Sequence, residues 1–447
     1  MWHFASRVGK NLPPTEEDNV CMSRIDQQHS LNRIALVNLQ GELCTCTPAG
    51  DDLRTVSSPG RWYQFPAWSP DGSRLAAIGG TRTSAGVYVF KDSVLSEIAA
   101  IHANRALPPI YLSWSRNSQW LTFLTVDQTQ DSMALFLAHP FNEGTPKRIT
   151  RGRPCFWDWS PDSRHILMHS GFAGDEGRLL YLGVNDDGST RVVQNNVARP
   201  GLFQSPGISP SGKFWAFGDL GDEGELRVVI DGGTKFQPMV ALHKGVAAMS
   251  WSPSGDQLAF ISPEEQAQHC YGELRTVDAA TGNARVLTEQ TVLAFFWSPD
   301  GKRIAYFTVA AAPSSFGEML GLNQPDLKDM GGTFKPGNID DLLNQPKQTA
   351  NRRKLTLTVW VIDVETNERT LLGLFEPLEL FINQFLPFFD QYALSHRIWS
   401  PTSDALVIPT LQEDGAGNHT PRITVFPLAN TKPVHIAHGV SAFWGWQ

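Results

Sequence analysis

A short motif, Trp-Ser-Pro-Asp-Gly followed by an apolar run, returns along almost the whole chain of 447 residues. The copies are aligned by the first residue of the motif, which we call the anchor. The anchors are Trp68, Trp114, Trp159, Ile208, Trp251, Trp297, Trp399 and Trp446. They lie roughly 46 residues apart, except for one interval of more than twice that length between Trp297 and Trp399. A fixed period of about 40 to 50 residues indicates structural repeats packed side by side.

Each repeat is typical of one antiparallel sheet. An apolar strand ends at the anchor, and Ser-Pro-Asp-Gly then forms a tight turn because Pro presets φ at the first turn position and Gly accepts a positive φ. The next strand, Arg74 to Ile78 in the first copy, has the apolar character of a strand buried between neighbouring sheets. We therefore predict an all-β fold, a β-propeller of four-stranded blades, with eight blades and seven as the alternative.

The two ends of the chain are predicted to close the ring. Three strand candidates precede the first repeat, and one inner strand follows the last complete repeat. They are Val20 to Arg24, Arg33 to Asn38, Leu43 to Thr47 and, near the C-terminus, Val440 to Gln447. A composite blade of one C-terminal and three N-terminal strands leaves no exposed sheet edge.

The repeat, written WSPDG-x-x-[IL]-A-[FY], resembles that of the TolB-type, WD40-like propeller family, and the resemblance covers residues 19 to 447. It implies a propeller fold. Members of such families are protein-interaction modules, gating domains of peptidases or, in some cases, enzymes, so the resemblance does not choose a function.

Composition restricts the partners. Lys and Arg number 37 against 45 Asp and Glu, a formal net charge of −8, which argues against nucleic acid and anionic membranes. The five cysteines lack Cys-x-x-Cys spacing and are expected to be free thiols. No stretch has the length and apolar character of a membrane span or signal peptide, so we expect a soluble, cytoplasmic protein, unlike the exported TolB.

The long interval contains two additions to a single propeller domain. We predict an N-terminal tail over residues 1–18, a propeller over 19–447, and insertions at 310–354 and 374–392. The first insertion is rich in Gly, Pro, Asn and Gln and falls between the second and third strands of a blade, with one short helix around Ile339 to Leu343.

The second insertion contains a predicted helix over 376–386. Its apolar face is formed by Leu378, Phe381, Ile382 and Phe385. Pro377 suits the first turn, and Pro387 is predicted to end the helix. The helix either packs on its own propeller or exposes an aromatic patch to a partner. We expect Phe381 and Phe385 to be core.

Four other residues in the two insertions are the candidates for partner contact. They are Phe388, Phe389, Arg352 and Arg353.

Motifs for known catalytic chemistry are missing from the sequence. There is no G-x-S-x-G nucleophile elbow, no H-E-x-x-H helix and no zinc-spaced Cys/His cluster, so no catalytic residue, cofactor or metal is predicted. Six residues are candidates for the channel mouth, three of them histidines in connections that lead to inner strands. They are His102, His243, His438, Asp158, His396 and Arg397. Asp158 also replaces the small residue that precedes most anchors.

Two functions are compatible with these features. The first is a non-catalytic scaffold or sensor that binds a protein or peptide, as a monomer or in a hetero-complex. The alternative is a channel-site enzyme, a metal-dependent lyase or hydrolase acting on a sugar or peptide.

Overall fold

A computed structural model describes residues 32–127, 130, 132–140, 144–171, 177–232, 239–263, 270–310, 355–413, 418–429 and 432–446. Its strands are β1 (Ile34–Val37), β2 (Leu43–Cys46), β3 (Arg54–Thr55), β4 (Trp62–Trp68), β5 (Leu75–Gly80), β6 (Ala85–Phe90), β7 (Glu97–Ala103), β8 (Pro109–Trp114), β9 (Leu121–Asp127), β10 (Ser132–Ala138), β11 (Lys147–Gly152), β12 (Cys155–Trp159), β13 (His165–Ser170), β14 (Arg178–Val184), β15 (Thr190–Gln194), β16 (Gly207–Ile208), β17 (Trp215–Leu220), β18 (Leu226–Asp231), β19 (Met239–His243), β20 (Ala248–Trp251), β21 (Gln257–Ile261), β22 (Gly272–Asp278), β23 (Ala284–Val292), β24 (Ala294–Trp297), β25 (Arg303–Val309), β26 (Leu357–Asp363), β27 (Arg369–Pro377), β28 (Ala405–Glu413), β29 (His419–Pro427), β30 (Val434–His438) and β31 (Ser441–Trp444). The helical elements are a π-helical turn (Phe381–Phe385), a 3₁₀ turn (Leu386–Phe388) and the helix α1 (Phe389–Ala393).

The strands form a series of antiparallel sheets, which confirms the predicted all-β propeller fold. Five sheets contain four consecutive strands each: β4–β7, β8–β11, β12–β15, β16–β19 and β20–β23. Strands β24–β30 form one seven-stranded sheet, in which β27 and β28 share only two residue pairs, Glu376 with Leu411 and Pro377 with Thr410. Dividing this sheet at that junction and adding the sheet described next gives eight blades. The blade count stays a prediction.

Strands from both ends of the chain lie in one sheet, in the order β3-β2-β1-β31. Ile34 pairs with Trp444, and Val37 pairs with Ser441. The sheet thus has one C-terminal and three N-terminal strands, as expected, but its third N-terminal strand is Arg54–Thr55. This strand follows β2 through a short turn and needs no long connection. The candidate Val20 to Arg24 lies outside the described residues.

Neighbouring blades are joined at their anchors. The indole N–H of Trp114 donates to the backbone oxygen of Ala67 at 3.0 Å. Trp297 makes the same bond to the oxygen of Ser250 at 3.0 Å. In both cases the acceptor is the small residue just before the anchor of the neighbouring blade, Ala67 before Trp68 and Ser250 before Trp251. This position therefore lies where two blades meet.

The second insertion differs from the predicted helix. Pro377 is the last residue of β27, and the helical chain continues past Pro387 to Ala393. Pro387 is accommodated because it lies in the first turn of a 3₁₀ element, where its missing N–H is not required. The prediction that Pro387 ends the helical run is wrong for this reason.

The first insertion is bracketed by two paired strands. β25 and β26 run antiparallel from Arg303 with Asp363 to Val309 with Leu357. The segment 311–354 therefore connects two adjacent strands of one sheet, where the sequence placed it. The predicted helix at Ile339 to Leu343 lies outside the described residues.

Candidate functional site

The helical segment 379–396, here called the central plug, lies where the inner strands of the blades converge. The ring of Tyr392 lies 5.0 Å from that of Phe65 in β4 and 5.2 Å from that of Tyr111 in β8. On another side, the ring of Phe389 lies 5.0 Å from that of Phe295 in β24. Because these partners belong to the inner strands of three different blades, the plug occupies the central channel.

Gln391 connects the plug to two blades by hydrogen bonds, through β8 and β12. Its side-chain oxygen accepts a hydrogen bond from the backbone N–H of Trp157 at 2.8 Å, and its amide nitrogen donates to the Trp157 oxygen at 3.0 Å. The Tyr111 hydroxyl donates to the backbone oxygen of Gln391 at 2.7 Å. The side chain therefore pairs with β12 as a neighbouring strand would, and its buried polar atoms are satisfied.

His396, the last residue of the plug, forms hydrogen bonds with both of its ring nitrogens. Its Nε2 donates to the backbone oxygen of Phe65 at 3.1 Å, so Nδ1 accepts from the Ser395 hydroxyl at 2.6 Å. Burial lowers the pKa of His396 to about 4, against the opposing effect of the Phe65 hydrogen bond. The imidazole is therefore neutral near pH 7.

Asp390 is a buried carboxyl in the same plug. Its oxygens accept hydrogen bonds from the backbone N–H of Ser205 at 3.1 Å and of Gln391 at 2.9 Å. Burial raises the pKa of Asp390 to about 7, although these hydrogen bonds oppose the shift.

One end of the channel remains open as a cavity of about 820 Å³, including the solvent at its mouth. It lies on the face that carries the turns after the anchors, here called the turn face. Ala393, Leu394 and His396 of the plug line it from within. Its lining includes four prolines and four tryptophans: Pro206, Pro210, Pro253, Pro299, Trp251, Trp297, Trp399 and Trp446. Its lining is mostly apolar, with a few polar and charged side chains, as is common in ligand-binding pockets.

Two departures from the repeat meet in this cavity. Arg116 stands where most other copies have the Pro of Ser-Pro, and Asp158 stands where most copies have a small residue. The guanidinium of Arg116 lies 3.1 Å from a carboxylate oxygen of Asp158, whose other oxygen accepts from the N–H of Ile208 at 2.9 Å. Burial raises the pKa of Asp158, and the charge of Arg116 opposes that shift. The sequence analysis did not predict a role for Arg116, although its replacement of the repeated Pro could have indicated one.

Arg397 is the second cation that lines the cavity. Its guanidinium stacks on the ring of Trp446 at 4.4 Å and donates from Nη1 to the Trp446 oxygen at 2.9 Å. Burial alone lowers its pKa to about 10. In the part of the chain that the structure describes, Arg397 forms no ion pair.

The structure brings together only three of the six channel-mouth candidates. Asp158, His396 and Arg397 line the cavity.

His102, His243 and His438 do not line it. They lie at or next to the ends of β7, β19 and β30, which are the outermost strands of their blades. His102 bonds the backbone oxygen of Leu107 at 2.9 Å, and His243 bonds that of Gly245 at 2.8 Å. Placing these histidines at the channel mouth was wrong, because the connections start from the outer edge of each blade.

The residues predicted for partner contact have different surroundings. Phe389 is fully buried against Phe295 and Phe296, so it offers no surface to a partner, and that prediction is wrong for this residue. Phe388 is half-buried and packs near Phe156, with ring centroids 6.3 Å apart.

The burial of Phe381 and Phe385 agrees with their predicted place in the core. Arg352 and Arg353 lie outside the described residues.

Within the described ranges, no three His, Cys, Asp or Glu side chains are grouped so that they could hold a metal ion. No helix in those ranges is both long and apolar enough to cross a lipid bilayer.

Comparison with solved structures finds several proteins that are similar to this chain at low sequence identity. TolB from Acinetobacter baumannii is 18% identical, with 61% of this chain and 70% of that chain covered and a TM-score of 0.35. A eukaryotic initiation factor is 10% identical over 93% of this chain and 98% of its own, with a TM-score of 0.52. Oligogalacturonate lyase in complex with manganese is 10% identical over 91% and 84%, with a TM-score of 0.41. The sheets of this chain and these comparisons agree on a β-propeller fold. No protein-family model and no curated protein matches the sequence.

Proposed function

We propose that this propeller is a non-catalytic scaffold that binds a protein partner through a peptide segment inserted into the cavity on the turn face. The observation that carries the proposal is the cavity itself, which is open to solvent and walled by prolines and tryptophans. Tryptophan and arginine are the residues that most often dominate binding energy at protein interfaces.

The titratable groups at the cavity support binding rather than catalysis. Asp158 is held by Arg116 and the backbone N–H of Ile208, and both ring nitrogens of His396 bond within the protein. His396 therefore has no lone pair left to take a proton from a substrate. The cytoplasmic location expected from the sequence is part of the same proposal.

The experiment is capture of partners by the tagged full-length protein from its own cells, compared across variants. Pro253→Trp places a large ring at the exposed mouth of the cavity. The turn is expected to tolerate the change because the copy that begins at Trp114 has Arg116 at the same position. The control is Leu242→Ser, at an exposed position in β19 outside the cavity lining.

We expect a specific partner to be captured by the wild type and the control and to be lost with Pro253→Trp. Capture that is unchanged by Pro253→Trp, in protein with a wild-type melting temperature, contradicts binding at the cavity.

A further inference from the structure

Among the described residues that line the cavity, Arg397 is the cation that has no ion-pair partner. Arg116 and Asp158 compensate each other at 3.1 Å. Arg397 has a backbone oxygen and an aromatic ring as its described partners. A charge that is largely removed from water is costly unless it is paired, so a guanidinium in this state favours an anionic ligand.

The walls restrict which anion fits. Proline has no backbone N–H, so the four prolines around the cavity cannot supply the nest of amide donors that usually captures a chain terminus. The plug closes the inner end, so an extended chain cannot pass through the channel. A ligand backbone is therefore expected to stay near the mouth while one side chain enters.

We propose that the cavity binds the carboxylate of an Asp or Glu side chain from an acidic peptide segment, with Arg397 as its ion-pair partner. This inference rests on the proposed function and names the chemistry of the same site. Arg397 is prepared for the role because its stacking on Trp446 fixes the plane of the guanidinium, and planar guanidinium groups pair with carboxylates through two parallel hydrogen bonds.

The test starts with random dodecapeptides displayed on phage and selected against the full-length protein. Peptides that bind the wild type but not Pro253→Trp are synthesised with amidated C-termini, so that only side chains carry carboxylates. Each acidic residue is then replaced by its amide, Glu by Gln or Asp by Asn, and affinities are measured by calorimetry with wild type, Arg397→Gln and the control Lys213→Gln. Lys213 is an exposed cation on the turn face outside the cavity lining.

We expect one acidic position at which amide replacement weakens binding to the wild type and to Lys213→Gln by at least about tenfold. Arg397→Gln should bind the acidic peptide at least about tenfold more weakly than the wild type does. It should bind the acidic peptide and the amide-substituted peptide with nearly equal affinity. Equal losses from amide replacement in wild type and Arg397→Gln overturn the role of Arg397. Selected peptides without any sensitive acidic residue overturn the carboxylate chemistry but leave peptide binding standing. If no peptide distinguishes wild type from Pro253→Trp, both proposals fail.

A second pair of variants tests the same proposal in case Arg397→Gln does not fold. Pro253→Glu and Pro253→Gln place a charged and a neutral side chain of similar size at the mouth. We expect Pro253→Glu to bind the acidic peptide several-fold more weakly than Pro253→Gln, because like charges repel across the cavity. Equal affinities contradict the proposal.

Discussion

Asp390 and His396 are buried in the same plug and respond to pH in opposite ways. The folded pKa of Asp390 is raised to about 7, so between about pH 4 and pH 7 the folded chain holds a proton that the unfolded chain has released. Its contribution to the free energy of unfolding is fully present below the unfolded pKa and is lost as the pH rises through 7. The folded pKa of His396 is lowered to about 4, so its contribution is lost as the pH falls from about 6.5 toward 4.

Asp390→Asn tests the first of these effects. The amide cannot ionise, and its oxygen can still accept the Ser205 N–H, so the variant should gain stability relative to the wild type as the pH rises from 5 to 8. The gain is at most about 1.4 kcal/mol per pH unit. Urea denaturation at four pH values measures it. The exposed Asp186→Asn serves as control, and a difference between wild type and Asp390→Asn that does not vary with pH contradicts the raised pKa.

At the scale of elements, the plug is held by aromatic packing as well as by hydrogen bonds. Phe385 is buried and stacks on Phe296 with ring centroids 5.5 Å apart, and Phe381 lies 5.6 Å from Phe307. Both rings belong to the π-helical turn from Phe381 to Phe385 and contact β24 and β25. The apolar face predicted from the sequence therefore packs in the protein's own core.

Phe381→Ala and Phe385→Ala should each lower the free energy of unfolding by about 3 to 5 kcal/mol, because each leaves a cavity among rigid rings. Chemical denaturation followed by tryptophan fluorescence measures the loss. Asn383→Ala, at an exposed position of the same turn, should change stability by less than about 0.5 kcal/mol. Losses below about 1 kcal/mol for both phenylalanines would mean that the plug is not part of the core.

At the scale of the whole molecule, the ring is closed by four residue pairs between β1 and β31. A buried cation supports the closing sheet. Arg33 lies 2.8 Å from a carboxylate oxygen of Asp52, in the turn between β2 and β3. It also lies 2.7 Å from a carboxylate oxygen of Asp92, which follows β6 in the next blade. Closure therefore joins strands from distant parts of the chain and removes their unpaired edges.

Deletion of residues 440–447 should abolish cooperative unfolding, because β1 then loses its partner and apolar surface becomes exposed. Deletion of residues 1–18, which we predict to be a tail, is the matched control and should leave the melting transition unchanged. Differential scanning calorimetry distinguishes the outcomes. A cooperative transition after loss of 440–447 would show that the ring does not depend on this closure.

The repeat, the inner and second strands of the blades and the tight turns could be predicted from the sequence, because these depend on apolar runs and on the backbone preferences of residues adjacent in the chain. The sequence also indicated the composite sheet and the burial of Phe381 and Phe385. The tertiary structure decided that the helical insertion fills the channel, that the three outer histidines lie away from it, and that Arg397 reaches the cavity.

The physical reason is separation along the chain. Arg116 and Asp158 are 42 residues apart, and Asp390 bonds Ser205 across 185 residues. Such contacts form only when the blades close into a ring, and no local period encodes which side chains then face one another across the channel.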